Sequence, residues 1–263
     1  MSLYITGARS ELGAVLAQRR ITAAAQGVHF NLAGQAANTL LHDGHAWKNF
    51  AHAALAGTRR ALRSAHASGA PMLVHASFAF VHAVERGARL EPPLRCALDA
   101  ILECEALVLS ASLPACVVRL GYLYGPQSAD LRAYRSAFRL GRPYWSGPSR
   151  ALQYHLHQFD AAAALISAAR RRNAGRICYA TDGLPASFRQ LMAGFAHRVG
   201  RKTPLHLPLW SKLAARAIIA EEHMQQTALP MPDEAPAPRV PRWKPQYAGL
   251  PVGLDQVIED WSA

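Results

Sequence analysis

The chain is 263 residues long, 51% hydrophobic and formally +12 at pH 7 with its histidines neutral. That is enough apolar material for one large α/β domain, or a Rossmann-type body with a small lobe, and it excludes a short disulfide-stapled module. The basic surplus is 25 Arg against 4 Lys, spread in singles and short clusters such as Arg170-Arg171-Arg172 with no interleaved aromatics, so no nucleic-acid partner is expected.

In chain order, LYITG at 3 to 7 is a short apolar run ending in Gly, and Leu12, Val15 and Leu16 then recur at helical spacing within 11 to 20. That predicts a strand, a tight turn and a helix. VHFNLAG at 28 to 34 is a second strand, followed by a loop around HDGH and a long helix from Trp47 to about Ser68. PMLVHASFAFV at 71 to 81 is a third strand, 94 to 111 a helix, and ACVVRLGYLYG at 115 to 125 a fourth strand. Alternating strands and helices imply a parallel sheet covered on both faces. After Gly125 the alternation weakens, although RICYATDG at 176 to 183 still predicts a strand. The proline-rich stretch from Pro230 to Pro245 predicts an extended surface segment before a terminal helix, GLDQVIEDWSA.

Cys96, Cys104, Cys116 and Cys178 are scattered with no C-x-x-C pair, which predicts reduced thiols, a cytoplasmic location and no metal. Arg9 and Glu11 interrupt what would have to be an apolar leader, and no long apolar run follows, so no membrane association is expected.

Seven segments, in order, resemble the extended branch of the short-chain dehydrogenase/reductase superfamily, the NAD-dependent epimerase/dehydratase type. TGARSELG is similar to the family's TGxxGxxG loop, VHFNLAG to the strand ending in HLAA, and AGTRRALRSAHASG to the helix that begins NxxGT. VHASFAFVH resembles SSxxVYG, RLGYLYGP resembles RPGNVYGP, YHLHQFDAAAAL resembles HVDDLAxA, and WKPQYAGLPVGL resembles the closing WxPxYxxxxxGL. The resemblance implies a doubly wound parallel sheet, with residues 1–125 a nucleotide-binding body and 126–263 mostly a substrate lobe from which some segments return to the body. It places cofactor contacts at Gly7, Arg9, Ser10, Gly13, Asn31 and Ala33, and implies a small-molecule substrate and a homodimer as one possible assembly.

Three departures from the family pattern stand out. The family's proton-transferring tyrosine and the lysine four residues later fall on Ala97 and Ile101, and no Y-x-x-x-K occurs anywhere, because Gly44, Arg198, Pro208 and Val240 precede the four lysines at that spacing. Ser10 replaces the middle glycine of the loop, and Glu11 places a carboxylate where a diphosphate meets the helix start. Only ITAAAQG separates the first helix from the second strand, too short for a β-α-β crossover of about 10–12 residues, so the sheet should be shortened at its N-terminal side. The expected cofactor is therefore none, or weakly bound NADP.

Ser77 aligns with the family's catalytic serine, and His75, Asp99, Tyr124 and His157 join it as catalytic candidates. His155 and His157, at alternate positions, would share one side of a strand. No G-x-S-x-G elbow, HExxH, Walker loop or EF-hand loop is present. The leading expectation is a non-redox enzyme (isomerisation, elimination or cyclisation). The alternatives are an NAD(P)-dependent reductase or epimerase with unconventional catalytic residues, and a non-catalytic binding or scaffold subunit.

Overall fold

The computed structural model describes residues 4–20, 22–36, 46–89, 92–141, 143–146, 152–207 and 235–262. The loop expected around HDGH and the first part of the proline-rich segment lie outside them. Five parallel strands form the central sheet in the order β1 (Tyr4–Thr6), β2 (His29–Asn31), β3 (Leu73–Phe78), β4 (Ala115–Leu120) and β9 (Ile177–Ala180). β1 is an edge strand because ITAAAQG forms only a short 3-10 turn at Ala23–Ala25 before the chain re-enters beside it as β2.

One face of the sheet is covered by α1 (Glu11–Ala17) and α6 (Gln158–Ala168). α6 is alanine-rich and almost wholly buried, as expected of a helix apolar all round, and its small side chains let it lie close to α1 and the strands. α2 (Ala46–Ala67) and α4 (Pro92–Leu109) pack together on the other face, burying Ala61, Ala65, Leu73, Val108 and Val117 between them and the sheet. The short α3 (Val81–Glu85) follows β3 on that side.

The long strand predicted at 115 to 125 is broken at Gly121. Its α-carbon lies so close to the backbone that a Cβ there would sit 2.6 Å from the Tyr154 carbonyl oxygen. Beyond that break β5 (Tyr122–Tyr124) leaves the central sheet and pairs in parallel with β8 (His155–His157). The remaining short pairs are β7 (Leu152–Gln153) with β10 (Ala186–Ser187), and β6 (Tyr144–Ser146) with β11 (Leu205–Leu207). α5 (Ala129–Leu140), α7 (Phe188–Arg198) and α8 (Leu250–Ser262) enclose a second core that contains Phe138, Trp145, Phe188 and Phe195. Burying each of these side chains contributes about 1.5–3 kcal/mol. α7 starts on a capping box between Ser187 and Gln190.

Candidate functional site

Three polar constellations lie at or beyond the carboxyl ends of the strands, where open α/β sheets bind ligands. The first is the β1–α1 turn. Gly7 adopts φ 86°, and a Cβ there would lie 2.7 Å from the Leu32 carbonyl oxygen. A Cβ on Gly13 would lie 2.4 Å from the Gly7 carbonyl oxygen, so both glycines are required for the turn to close on β2 and on α1. Ser10 caps the helix, its hydroxyl accepting from the Gly13 N–H at 3.0 Å and donating to the Gly7 carbonyl at 2.8 Å. Arg9 is exposed.

Glu11 follows the turn as the first residue of α1. Its Oε1 accepts from the Ala129 N–H at the start of α5 (2.7 Å) and its Oε2 from Gln158 Nε2 at the start of α6 (2.9 Å). Burial raises its pKa, and the hydrogen bond from Ala129 pulls against that rise. At the end of β2, Asn31 is fully engaged: its Nδ2 donates to Thr58 Oγ1 (3.0 Å) and to His75 Nδ1 (2.9 Å), while its Oδ1 accepts from the Ala33 N–H (3.2 Å). Burial pushes the His75 pKa down to about 4, so the ring is neutral and acts as an acceptor.

The second constellation is a row across three strands. Ser77 of β3, Arg119 of β4 and Tyr179 of β9 are register partners. The Ser77 hydroxyl donates to Glu105 Oε1 at 2.5 Å. Arg119 donates to both Glu105 oxygens (2.9 and 2.7 Å), to Glu85 Oε1 (2.7 Å) and to the Tyr179 hydroxyl oxygen (2.6 Å). Burial works against the Arg119 charge, yet the carboxylates of Glu105 and Glu85 hold its pKa above the ordinary value. The Ser77 hydroxyl is thus committed to an internal ion-pair network. Ala97 and Ile101 lie two turns and one turn before Glu105 on α4, buried among Phe50, Ala54 and Val81.

The third constellation surrounds the β5–β8 pair. His155 and His157 do point to one side, and the Tyr124 ring meets both, at centroid distances of 6.2 and 5.4 Å. His157 also packs on Tyr247 at 4.4 Å and caps α6, its Nδ1 accepting from the Phe159 N–H. All three side chains are buried, and burial brings both histidine pKa values down to about 4. Two carboxylates border the group. Asp160 accepts from the Gln246 and Tyr247 N–H groups, both at 2.8 Å. Asp182 accepts from the Leu184 N–H on Oδ1 (3.0 Å) and is pushed by burial up to about 7, with backbone hydrogen bonds from Leu184 and Gly249 pulling against the rise.

Of the sequence candidates, the structure brings Asn31 and His75 together, and Tyr124 with His157. Ser77, two residues from His75 on β3, donates to Glu105, whose charge also acts on His75, and Asp99 is exposed on α4. Glu105, Arg119, Tyr179 and Asp182 were not anticipated. A single arginine within the apolar strand ACVVRL was the available signal, because a buried guanidinium requires carboxylate partners. Among the described residues no cluster of metal-ligating side chains occurs, and no helix is long and apolar enough to cross a membrane.

No protein-family model matches the chain. It is 31% identical over 166 residues to a 3-diazoavenalumate denitrifying reductase of Streptomyces sp., a match that takes in 58% of this chain and 54% of that protein. The matched part therefore spans about half the length of the relative. Among solved structures, a human epimerase family protein with NADPH superposes with a TM-score of 0.70 at 16% identity, covering 99% of this chain and 100% of that one. UDP-glucuronic acid 4-epimerase from Bacillus cereus, in complex with UDP-glucuronic acid and NAD, gives 0.69 at 14% identity, with 98% of each chain covered. RMD from Pseudomonas aeruginosa, complexed with NADPH, gives 0.68 at 16% identity and the same coverage. The expectation of no cofactor, or of weakly bound NADP, is overturned: these neighbours carry NADPH or NAD on the same fold over nearly its whole length. The Glu11 carboxylate, expected to repel a diphosphate, accepts hydrogen bonds from Ala129 and Gln158.

Proposed function

The chain has the Rossmann-like fold of the NAD(P)-dependent epimerases and extended short-chain dehydrogenase/reductases, and from that premise we propose that it is a nicotinamide-dinucleotide-dependent reductase or epimerase acting on a small organic molecule without a tyrosine–lysine pair. The observation that carries this reading is the β1–α1 turn, where Gly7 and Gly13 give a close backbone approach while the nearest carboxylate is held elsewhere. The reductase relative supports the reductive alternative.

In this reading Gly7, Ser10 and Gly13 shape the turn that receives the dinucleotide phosphates, exposed Arg9 pairs with them, and Asn31 and Ala33 form the adjoining wall. The dinucleotide supplies the hydride donor or acceptor. Asn31 is held by Thr58 and His75, which fixes the loop after β2. Proton handling falls to the Tyr124, His155, His157 and Asp182 group, since Asp182 alone among them is poised near neutrality. The test is titration of the purified chain with NADPH, followed by nicotinamide fluorescence. Saturable one-to-one binding, weakened about tenfold in Arg9→Glu, is expected from the loss of a charge-assisted pair. A chain that does not bind NADPH or NADH overturns the reading.

A second reading, isomerisation, elimination or cyclisation with no net redox change, is favoured by the buried, apolar Ala97 and Ile101. Stoichiometric NADPH consumption with an aryl diazo or carbonyl substrate decides against it.

A further inference from the structure

A recess of about 350 Å³ opens between α5, the end of α7 and α8, and Arg135, Phe138, Arg139, Arg198, Arg201 and Trp261 line it. Among the described residues no acidic side chain lines it. Arg198 is committed to the protein, donating to Asp255 Oδ1 (2.7 Å), the Gly194 carbonyl (3.2 Å) and the Pro251 carbonyl (3.0 Å). Arg135 lies 5.0 Å over the Trp261 ring, and the indole is itself fixed by its Nε1 donating to the Pro126 carbonyl at 2.9 Å. Arg139 and Arg201 are exposed, and among the described residues neither reaches a carboxylate at salt-bridge distance.

Four guanidinium groups around one concavity repel one another. The helix dipole accounts for Arg139 and Arg198, which sit in the last turns of α5 and α7, because cations are favoured there. It does not account for Arg135 within α5, or for Arg201 beyond the end of α7. We propose that this recess is a binding site for a small anion carrying two or more phosphate groups. Guanidinium forks match phosphate oxygens in pairs, α5 and the end of α7 carry the arginines to one recess, and the aromatic floor excludes water from one side. The volume lies at the small end of the range for ligand pockets, which suits a compact polyphosphate or a phosphate ester. The site shares no residue with the β1–α1 turn, so the proposal stands independently of dinucleotide binding.

Isothermal titration with tripolyphosphate at fixed ionic strength tests it, since constant salt removes general screening from the comparison. The expected result is one site per chain, with affinity at least about tenfold lower in R139Q/R201Q, which removes two forks. Both residues are exposed, so that variant should fold. R171Q/R172Q removes the same charge from another exposed surface and should bind as the unaltered chain does. An absence of binding overturns the proposal, as does an equal loss in the two double variants.

Discussion

Ser77 and Glu105, 28 residues apart, are joined by a 2.5 Å hydrogen bond in which the hydroxyl donates to the carboxylate that also receives the Arg119 fork. The Arg119–Glu105 pair is 4% exposed on both sides, so neither charge has water as an alternative partner. Glu105→Gln should therefore cost about 3–5 kcal/mol, because it leaves the guanidinium short of its counter-charge in the interior. Ser77→Ala removes one hydrogen bond to a charged group and should cost about 1.5–3 kcal/mol. Urea unfolding of the two variants checks both magnitudes. A Ser77→Ala variant as stable as the parent chain would mean that the bond contributes nothing.

Asp182 gives the stability a pH dependence of unusual sign. Its pKa is raised from 3.8 to about 7 in the folded chain, so folding binds a proton. That contribution is fully present below the unfolded value and is lost as pH rises through the folded one. Asp182→Asn retains the Oδ1 acceptor for Leu184 and should raise the Tm relative to the parent more at about pH 8 than at about pH 5. His75, His155 and His157 act oppositely. Their pKa values are lowered from 6.5 to about 4, so their contribution is lost as pH falls through that interval. Burial raises Glu11 and Asp160 as it does Asp182, so the histidine contribution is isolated by His155→Gln, which should lose less stability than the parent on acidification below about pH 6 in thermal melts.

Glu11 ties the start of α1 to the starts of α5 and α6. Glu11→Ala should destabilise the chain by about 1–3 kcal/mol, through an unsatisfied Ala129 N–H and Gln158 amide. Glu11→Gln, which keeps an acceptor for Ala129, should change the NADPH Kd by less than about threefold, because Ala129 and Gln158 already hold the carboxylate. A tenfold gain in NADPH affinity in Glu11→Gln would place the charge over the phosphates instead.

The strands and helices around the central sheet were readable in the sequence, because hydrophobic period and glycine punctuation are local properties of the chain. LYITG with Leu12, Val15 and Leu16 yields β1 and α1, and the brevity of ITAAAQG implied a sheet shortened at its N-terminal side, while the place of β1 at the edge beside β2 came from the structure. The departure of β5 from the sheet was not readable, since ACVVRLGYLYG is apolar throughout and only the backbone of Tyr154 and His155 against Gly121 forces the break. The direction of each polar side chain was likewise a matter of tertiary contact. Ser77 was aligned with a ligand-facing position and is held by Glu105, while Glu11 was expected to repel an anion and is held by Ala129 and Gln158. What the sequence by itself determined was the order and type of the main strands and helices up to Gly125, the strand near 176 to 183 and the terminal helix. Which charges are satisfied and where they point was decided by tertiary structure alone, because burial and partner geometry join residues far apart in the chain.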